Sequence, residues 1–228
     1  IGTLQPIEPI GSLCKDRGIL FHSDCVQTFG KMDIDSLSQS VDALTISGHK
    51  FYGPKGTGVA YLNPRVPWRP FIEGTTHEHG FRPGTVNVPG ILAMTAAGQK
   101  AFAGLKEERK HLMALRELLM AHLGDAAKQM TVFGLQDERQ LPGIVGMAIK
   151  GIEGQSVMLE CNRNGFAIST GSACHTDLLA PSKTMTAMGI SGKQAKEFFR
   201  ISFGRQTAEN DVIRLANVLS KMVLNHAN

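Results

Sequence analysis

The densest group of reactive side chains in this sequence is Ser47-Gly48-His49-Lys50-Phe51-Tyr52-Gly53-Pro54-Lys55-Gly56-Thr57-Gly58. A hydroxyl, a glycine, an imidazole and a lysine follow one another at the end of an apolar run. Such a set can place several donors and one amine around a small anionic ligand. Gly53, Pro54, Gly56 and Gly58 then force a tight loop before the next apolar run. If Lys50 is desolvated, its ammonium loses a proton more readily, and the neutral amine can condense with an aldehyde. The same residues also suit a glycine-rich turn carrying exposed lysines.

A second group, His22-x-Asp24-x-x-Gln27, ends another apolar run, with Asp24 placed 26 residues before Lys50. A carboxylate there can hydrogen-bond a pyridine nitrogen and keep it protonated, while Gln27 reaches a ring oxygen. That is the partnership a pyridoxal phosphate site requires. Asp24 equally suits the cap of a following helix. A third group, Ile168-Ser169-Thr170-Gly171-Ser172-Ala173-Cys174-His175-Thr176, surrounds one cysteine with small residues. An accessible loop of this kind is what a thiolate nucleophile needs, although a free cysteine commonly ends as an inert, buried thiol.

The elements that must position these groups alternate short apolar runs with glycine, proline and polar segments, as an α/β layered domain does. Residues 18–24 read as a buried strand, 41–47 and 58–62 as two more. Chemistry in open α/β sheets gathers beyond the carboxyl ends of strands, and the first two runs both end in functional side chains. From Pro89 the spacing becomes helical through Leu119, with a bend expected at Gly98 or Gly104. Strands are expected at 144–149, 167–169 and 199–203, and helices at 156–162 and 208–224. The last opens with Glu209 and Asp211, where the helix dipole favours acids. These form a second, smaller α/β domain.

The chain has 228 residues, with 24 Lys and Arg against 20 Asp and Glu, a net charge of +4. At 42% hydrophobic and 19% charged residues it is globular, neither disordered nor collagen-like. The four cysteines contain no C-x-x-C pair, which argues against a zinc ribbon or a disulfide scaffold and fits a cytoplasmic location. No apolar run of about 18 residues occurs, so no membrane partner is expected. Aromatics make up 6% and do not interleave the basic residues, so no nucleic-acid partner is expected either. The chain opens Ile1-Gly2-Thr3, which reads as entry into a fold midway.

The segment from His22 to Lys31, followed by Ser47-Gly48-His49-Lys50-x-Tyr52-Gly53-Pro54-Lys55-Gly56, resembles the cysteine desulfurases of the NifS and IscS type. These are fold-type-I pyridoxal phosphate enzymes of the class-V aminotransferase family. The resemblance implies a three-layer large domain, incomplete at its N-terminus, over residues 1–103, and a smaller C-terminal α/β domain over 104–228. It implies that Lys50 carries the cofactor, that Asp24 pairs with the pyridinium nitrogen and Gln27 with the ring oxygen, and that Ser47, Gly48 and His49 form its phosphate side. Arg82-Pro83-Gly84-Thr85-Val86-Asn87 is similar to a family segment whose threonine reaches the phosphate of the other subunit, which makes Thr85 the mark of a homodimer.

Ser169-x-Gly171-Ser172-Ala173-Cys174 resembles the family's active-site cysteine motif, continued by Ala180-Pro181-Ser182 and Ala187-Met188-Gly189. Phe199-Arg200-Ile201-Ser202-Phe203-Gly204-Arg205 resembles the strand whose first arginine clamps the substrate carboxylate, a bidentate task suited to Arg200. The implied reaction converts L-cysteine to L-alanine, with sulfur held as a persulfide on Cys174. It then passes to a sulfur-acceptor or iron-sulfur scaffold protein, and a mobile Cys174 loop is expected for that transfer. Alternatives are a related aminotransferase or selenocysteine lyase, or a non-catalytic fragment of the desulfurase. Two departures stand out. Gly74-Thr75-Thr76-His77-Glu78-His79 differs from the family's glycine-rich turn, its two histidines reading as surface residues with no metal, and the family's N-terminal segment has no counterpart here.

Overall fold

The computed structural model describes residues 1–74, 76–171 and 183–227. The chain divides into two compact units, Gln5–Lys106 and a second formed by Glu107–Asn228 together with Ile1–Leu4.

In the first unit, helix α1 (Ile7–Asp16) starts after Pro6 and carries Glu8 in its first turn and Lys15 in its last, both favourable to the helix dipole. Strand β1 (His22–Asp24) follows, then the short helix α2 (Leu37–Ser40), β2 (Ala43–Ser47) and β3 (Gly58–Leu62). β1 runs parallel to β2, and β2 antiparallel to β3, giving one sheet in that order. The buried strand expected at 18–24 is only partly formed. It pairs over three residues, with β2 as the one neighbour of β1 among the described residues, and Ile19 and Leu20, which precede it, are 53% and 64% exposed.

Helix α3 (Val88–Ala103) begins at Asn87, whose side chain accepts the Gly90 N–H at 3.1 Å, with proline in the first turn. One hydrophobic core joins the sheet to this helix: Cys25, Ile46, Phe51, Met94 and Ala101, with Phe29, Leu37, Leu44 and Ala97 packed against them.

The helical stretch that starts at Pro89 breaks at Gly104 and not at Gly98. Gly98 is buried within α3 beside the rings of Phe29 and Phe51, and Gly104 ends the helix with its N–H turned back to Lys100 O. Helix α4 (Leu105–Leu123) follows and buries Leu112, Leu115, Leu119 and Leu123 on a single face.

The second unit continues with β4 (Met130–Phe133), β5 (Ile144–Ile149), α5 (Gly154–Arg163), α6 (Lys183–Ala187), α7 (Gly192–Lys196), β6 (Phe198–Ser202) and α8 (Glu209–Ala227). Its sheet is antiparallel in the order β4-β5-β6. β5 is buried on both faces. Val145, Met147 and Ile149 join Phe199 and Ile201 against α4, α5 and α8, while Ala148 and Phe198 meet Phe133, Met185 and Ala195 on the other side. In α8, Val212, Leu215, Ala216, Leu219 and Val223 recur at helical spacing and fill the first of these faces. The strand expected at 167–169 reduces to a bridge between Ser169 and Arg200.

Candidate active site

The parallel register sets Asp24 beside Thr45, and the next N–H, that of Cys25, donates to Thr45 O at 2.9 Å. The carboxyl ends of β1 and β2 therefore leave the sheet side by side. After Ser47 the chain closes into a 3-10 turn, Gly48–Phe51, capped by Tyr52 in the left-handed region at φ +70°. Packing on both flanks of Lys50 fixes this turn. Phe51 is buried against Phe29, their ring centroids 4.7 Å apart. A Cβ on Gly48 would fall 2.5 Å from Thr57 Oγ1 and 3.1 Å from Met94 Cγ. The loop is tied at both ends, by Gly48 N to Thr57 O at 2.9 Å and Gly53 N to Gly48 O at 2.8 Å.

On this frame Ser47 Oγ and His49 Nδ1 share a hydrogen bond of 2.9 Å. Asp24 Oδ1 accepts the Val26 N–H at 2.8 Å, a turn contact, and no regular helix follows it to be capped. Gln27 Oε1 accepts from Lys31 Nζ at 2.9 Å, and His22 Nε2 lies 3.3 Å from Thr45 Oγ1. Lys50 is half-buried, and its Nζ has no hydrogen-bond or ion-pair partner among the described residues. Thr85 is exposed in the loop between Gly84 and the Asn87 cap of α3.

Arg200 belongs to the second unit. Its backbone is held on both sides, by the ladder to Gly146 of β5 and by a two-way bridge to Ser169, with Arg200 N to Ser169 O at 2.6 Å and Ser169 N to Arg200 O at 3.1 Å. Its Nε is buried and has no partner among the described residues. Cys174, with His175 and the Ala180-Pro181-Ser182 continuation, lies outside the described residues. His77 and His79 are exposed on a 3-10 turn, and the described residues contain no group of three metal-ligating side chains. Thr57 and Tyr52, which shape the Lys50 loop, carry no sequence signal beyond their place in the glycine-rich segment.

The first unit thus presents an amine, a carboxylate, an amide, a hydroxyl and an imidazole where two parallel strands end, the donor set of an enzyme that works through a carbonyl cofactor. The chain belongs to the aminotransferase class-V family, whose model matches residues 1–215. It is 43% identical over 220 residues to a putative cysteine desulfurase NifS of Bacillus subtilis (strain 168), covering 96% of this chain and 56% of that protein. Among solved structures, a NifS-like protein superposes with a TM-score of 0.86 at 30% identity, covering 99% of this chain and 58% of that one. Another, described as SspA in complex with cysteine, gives a TM-score of 0.70 at 28% identity, covering 91% and 57%. The chain spans about half the length of the curated relatives it matches.

The proteins of this family are pyridoxal phosphate enzymes. The residues present have the chemistry that group calls for: an amine with no partner among the described residues, a carboxylate at the end of the adjacent strand β1, and a hydroxyl and an imidazole flanking a glycine too closely packed to carry a side chain.

Proposed function

We propose that this chain is the lysine-bearing part of a pyridoxal phosphate-dependent cysteine desulfurase. The observation that carries the reading is Lys50, whose amine has no partner among the described residues and whose backbone is held at the end of β2 between the close-packed Gly48 and the buried Phe51. Pyridoxal phosphate, when bound, supplies the electron sink that loosens the substrate α-proton and weakens the carbon–sulfur bond. Asp24 would keep the proton on the pyridine nitrogen, Gln27 would contact the ring oxygen, and Ser47, Gly48 and His49 would line the phosphate.

Lys50 Nζ holds the cofactor in place and moves protons at the substrate α-carbon. Arg200 receives the α-carboxylate through two parallel N–H···O bonds. The Cys174 thiolate attacks the substrate sulfur. The carbon–sulfur bond breaks, the sulfur stays on Cys174 as a persulfide, and the electron pair left on carbon takes a proton to give L-alanine. The relatives' name and the solved complex with cysteine support L-cysteine as substrate. Thr85 would meet the phosphate of a second copy in a homodimer. The persulfide would be passed to a sulfur-acceptor or iron-sulfur scaffold protein in a reducing cytoplasm.

The test is alanine and sulfide release from L-cysteine by the natural gene product, compared with Lys50→Ala and Cys174→Ala. Loss of both products in each variant is expected. Undiminished turnover in Cys174→Ala overturns the nucleophile assignment. Amino transfer that requires a keto acid and yields no sulfide overturns the desulfurase reading in favour of an aminotransferase.

A further inference from the structure

Gln140 is 5% exposed and fully engaged. Its Oε1 accepts from Leu135 N at 3.0 Å and Thr3 Oγ1 at 3.3 Å. Its Nε2 donates to Ile1 O at 2.8 Å and shares its remaining hydrogen between Ile144 O and Leu141 O, at 3.3 and 3.4 Å. Backbone bonds reinforce the side chain, with Leu141 N donating to Gly2 O at 2.9 Å and Leu4 N to Arg139 O at 2.7 Å. Glycines leave room for the amide: a Cβ on Gly2 would fall 2.6 Å from Nε2, and one on Gly134 would collide with Oε1. Only an amide fits this environment, because a carboxylate offers no hydrogen to Ile1 O and an apolar side chain satisfies neither Ile1 O nor Leu135 N.

Ile1, held in this way, lies over Gly146. A Cβ on Gly146 would come within 3.1 Å of Ile1 Cγ2 and 3.5 Å of Ile1 Cα. Gly146 is the ladder partner of Arg200. Directly paired residues of an antiparallel ladder present their side chains on one face of the sheet, so Ile1 covers the face from which the Arg200 side chain projects. Arg200 therefore stands on a sheet position whose neighbouring wall is the Ile1–Thr3 segment, and Gln140 is what keeps that segment down.

We propose that Gln140 is the positioning residue for Arg200, fixing Ile1–Thr3 against Gly146 so that the guanidinium is presented to a substrate α-carboxylate in one orientation. The inference rests on the reading of Arg200 given under Proposed function. Two substitutions disturb the wall by different routes: Gln140→Leu removes the amide bonds, and Gly146→Ala pushes on Ile1 from beneath.

In the natural gene product loaded with pyridoxal phosphate, each is expected to raise KM for L-cysteine about tenfold while kcat stays within about threefold, because only ground-state binding is lost. The visible cofactor absorption should be retained. On an Arg200→Lys background, neither should add more than about twofold, since both act through the arginine. In hydrogen exchange, the Leu4 and Leu141 amides should lose protection in Gln140→Leu. Unchanged KM in both variants overturns the proposal, as does the same tenfold factor on the Arg200→Lys background. A wild type that binds no pyridoxal phosphate and releases no alanine overturns the desulfurase reading and this inference with it. An active wild type beside indifferent variants overturns this inference alone.

Discussion

Phe29 and Phe51 pack at 4.7 Å between ring centroids with their planes inclined by 50°, and this contact anchors the backbone one residue beyond Lys50. Phe29 also meets Phe102 of α3 edge-on at 5.0 Å, so the lysine turn is joined through two rings to the helix beneath it. Phe51→Ala is expected to cost about 3–5 kcal/mol of unfolding free energy, and Phe51→Leu less than about 1.5 kcal/mol. Denaturant unfolding checks both, and equal losses for the two variants would contradict the anchoring role.

Gly48 and Gly53 should tolerate alanine less well than Gly56. A Cβ on Gly48 meets Thr57 Oγ1 at 2.5 Å, and one on Gly53 meets the Gly48 carbonyl at 2.9 Å, where backbone must move. Gly56 has open space around it and only its φ of +80° to oppose a side chain. Losses of about 1–3 kcal/mol are expected at 48 and 53, and about 1 kcal/mol at 56. Thermal unfolding of the three variants gives the order.

Burial, with Glu160 as second cause, pushes the Cys161 thiol up from 9.0 to about 11. The folded thiol stays protonated where the unfolded one ionises, so this group's contribution is intact below pH 9 and is lost as pH rises toward about 11. The loss is on the order of 2 kcal/mol. Iodoacetamide at pH 8 should leave Cys161 unlabelled in the native protein and modify it after denaturation, a contrast that mass spectrometry of the Cys161 peptide would read directly.

Arg205 grips Glu108 with two donors on one carboxylate oxygen, Nε at 2.9 Å and Nη2 at 2.8 Å, and the Glu108 side chain is only 9% exposed. Glu108→Gln should therefore cost about 1–3 kcal/mol. Salt should change that difference little, because the pair is screened less than a surface pair. A stability gap that closes at high ionic strength would show the pair to be worth no more than a surface contact.

Much of this architecture is legible in the sequence. β2, β3, β5 and β6 form within a residue or two of their apolar runs, and α8 follows its amphipathic spacing. The cluster at the end of β2 is visible because chemistry-bearing residues sit there side by side in the chain. β4 escapes notice because it is four residues long, with Thr131 and Val132 exposed. α1 is masked by Pro6 and Pro9 and shows little beyond its charged ends. Gln140 gives no local signal at all: its bonds to Thr3 and Ile1 span 137 and 139 residues, a relationship no periodicity contains.

The buried Nε of Arg200 has a thermodynamic consequence. Among the described residues it has been stripped of water with nothing put in the water's place. Folding, not ligand capture, has already met part of the dehydration cost of that donor. A carboxylate arriving there would relieve an existing deficit. Its affinity would then exceed what the same two hydrogen bonds would yield on a hydrated surface arginine, and the protein's resistance to unfolding would rise with the logarithm of the ligand concentration.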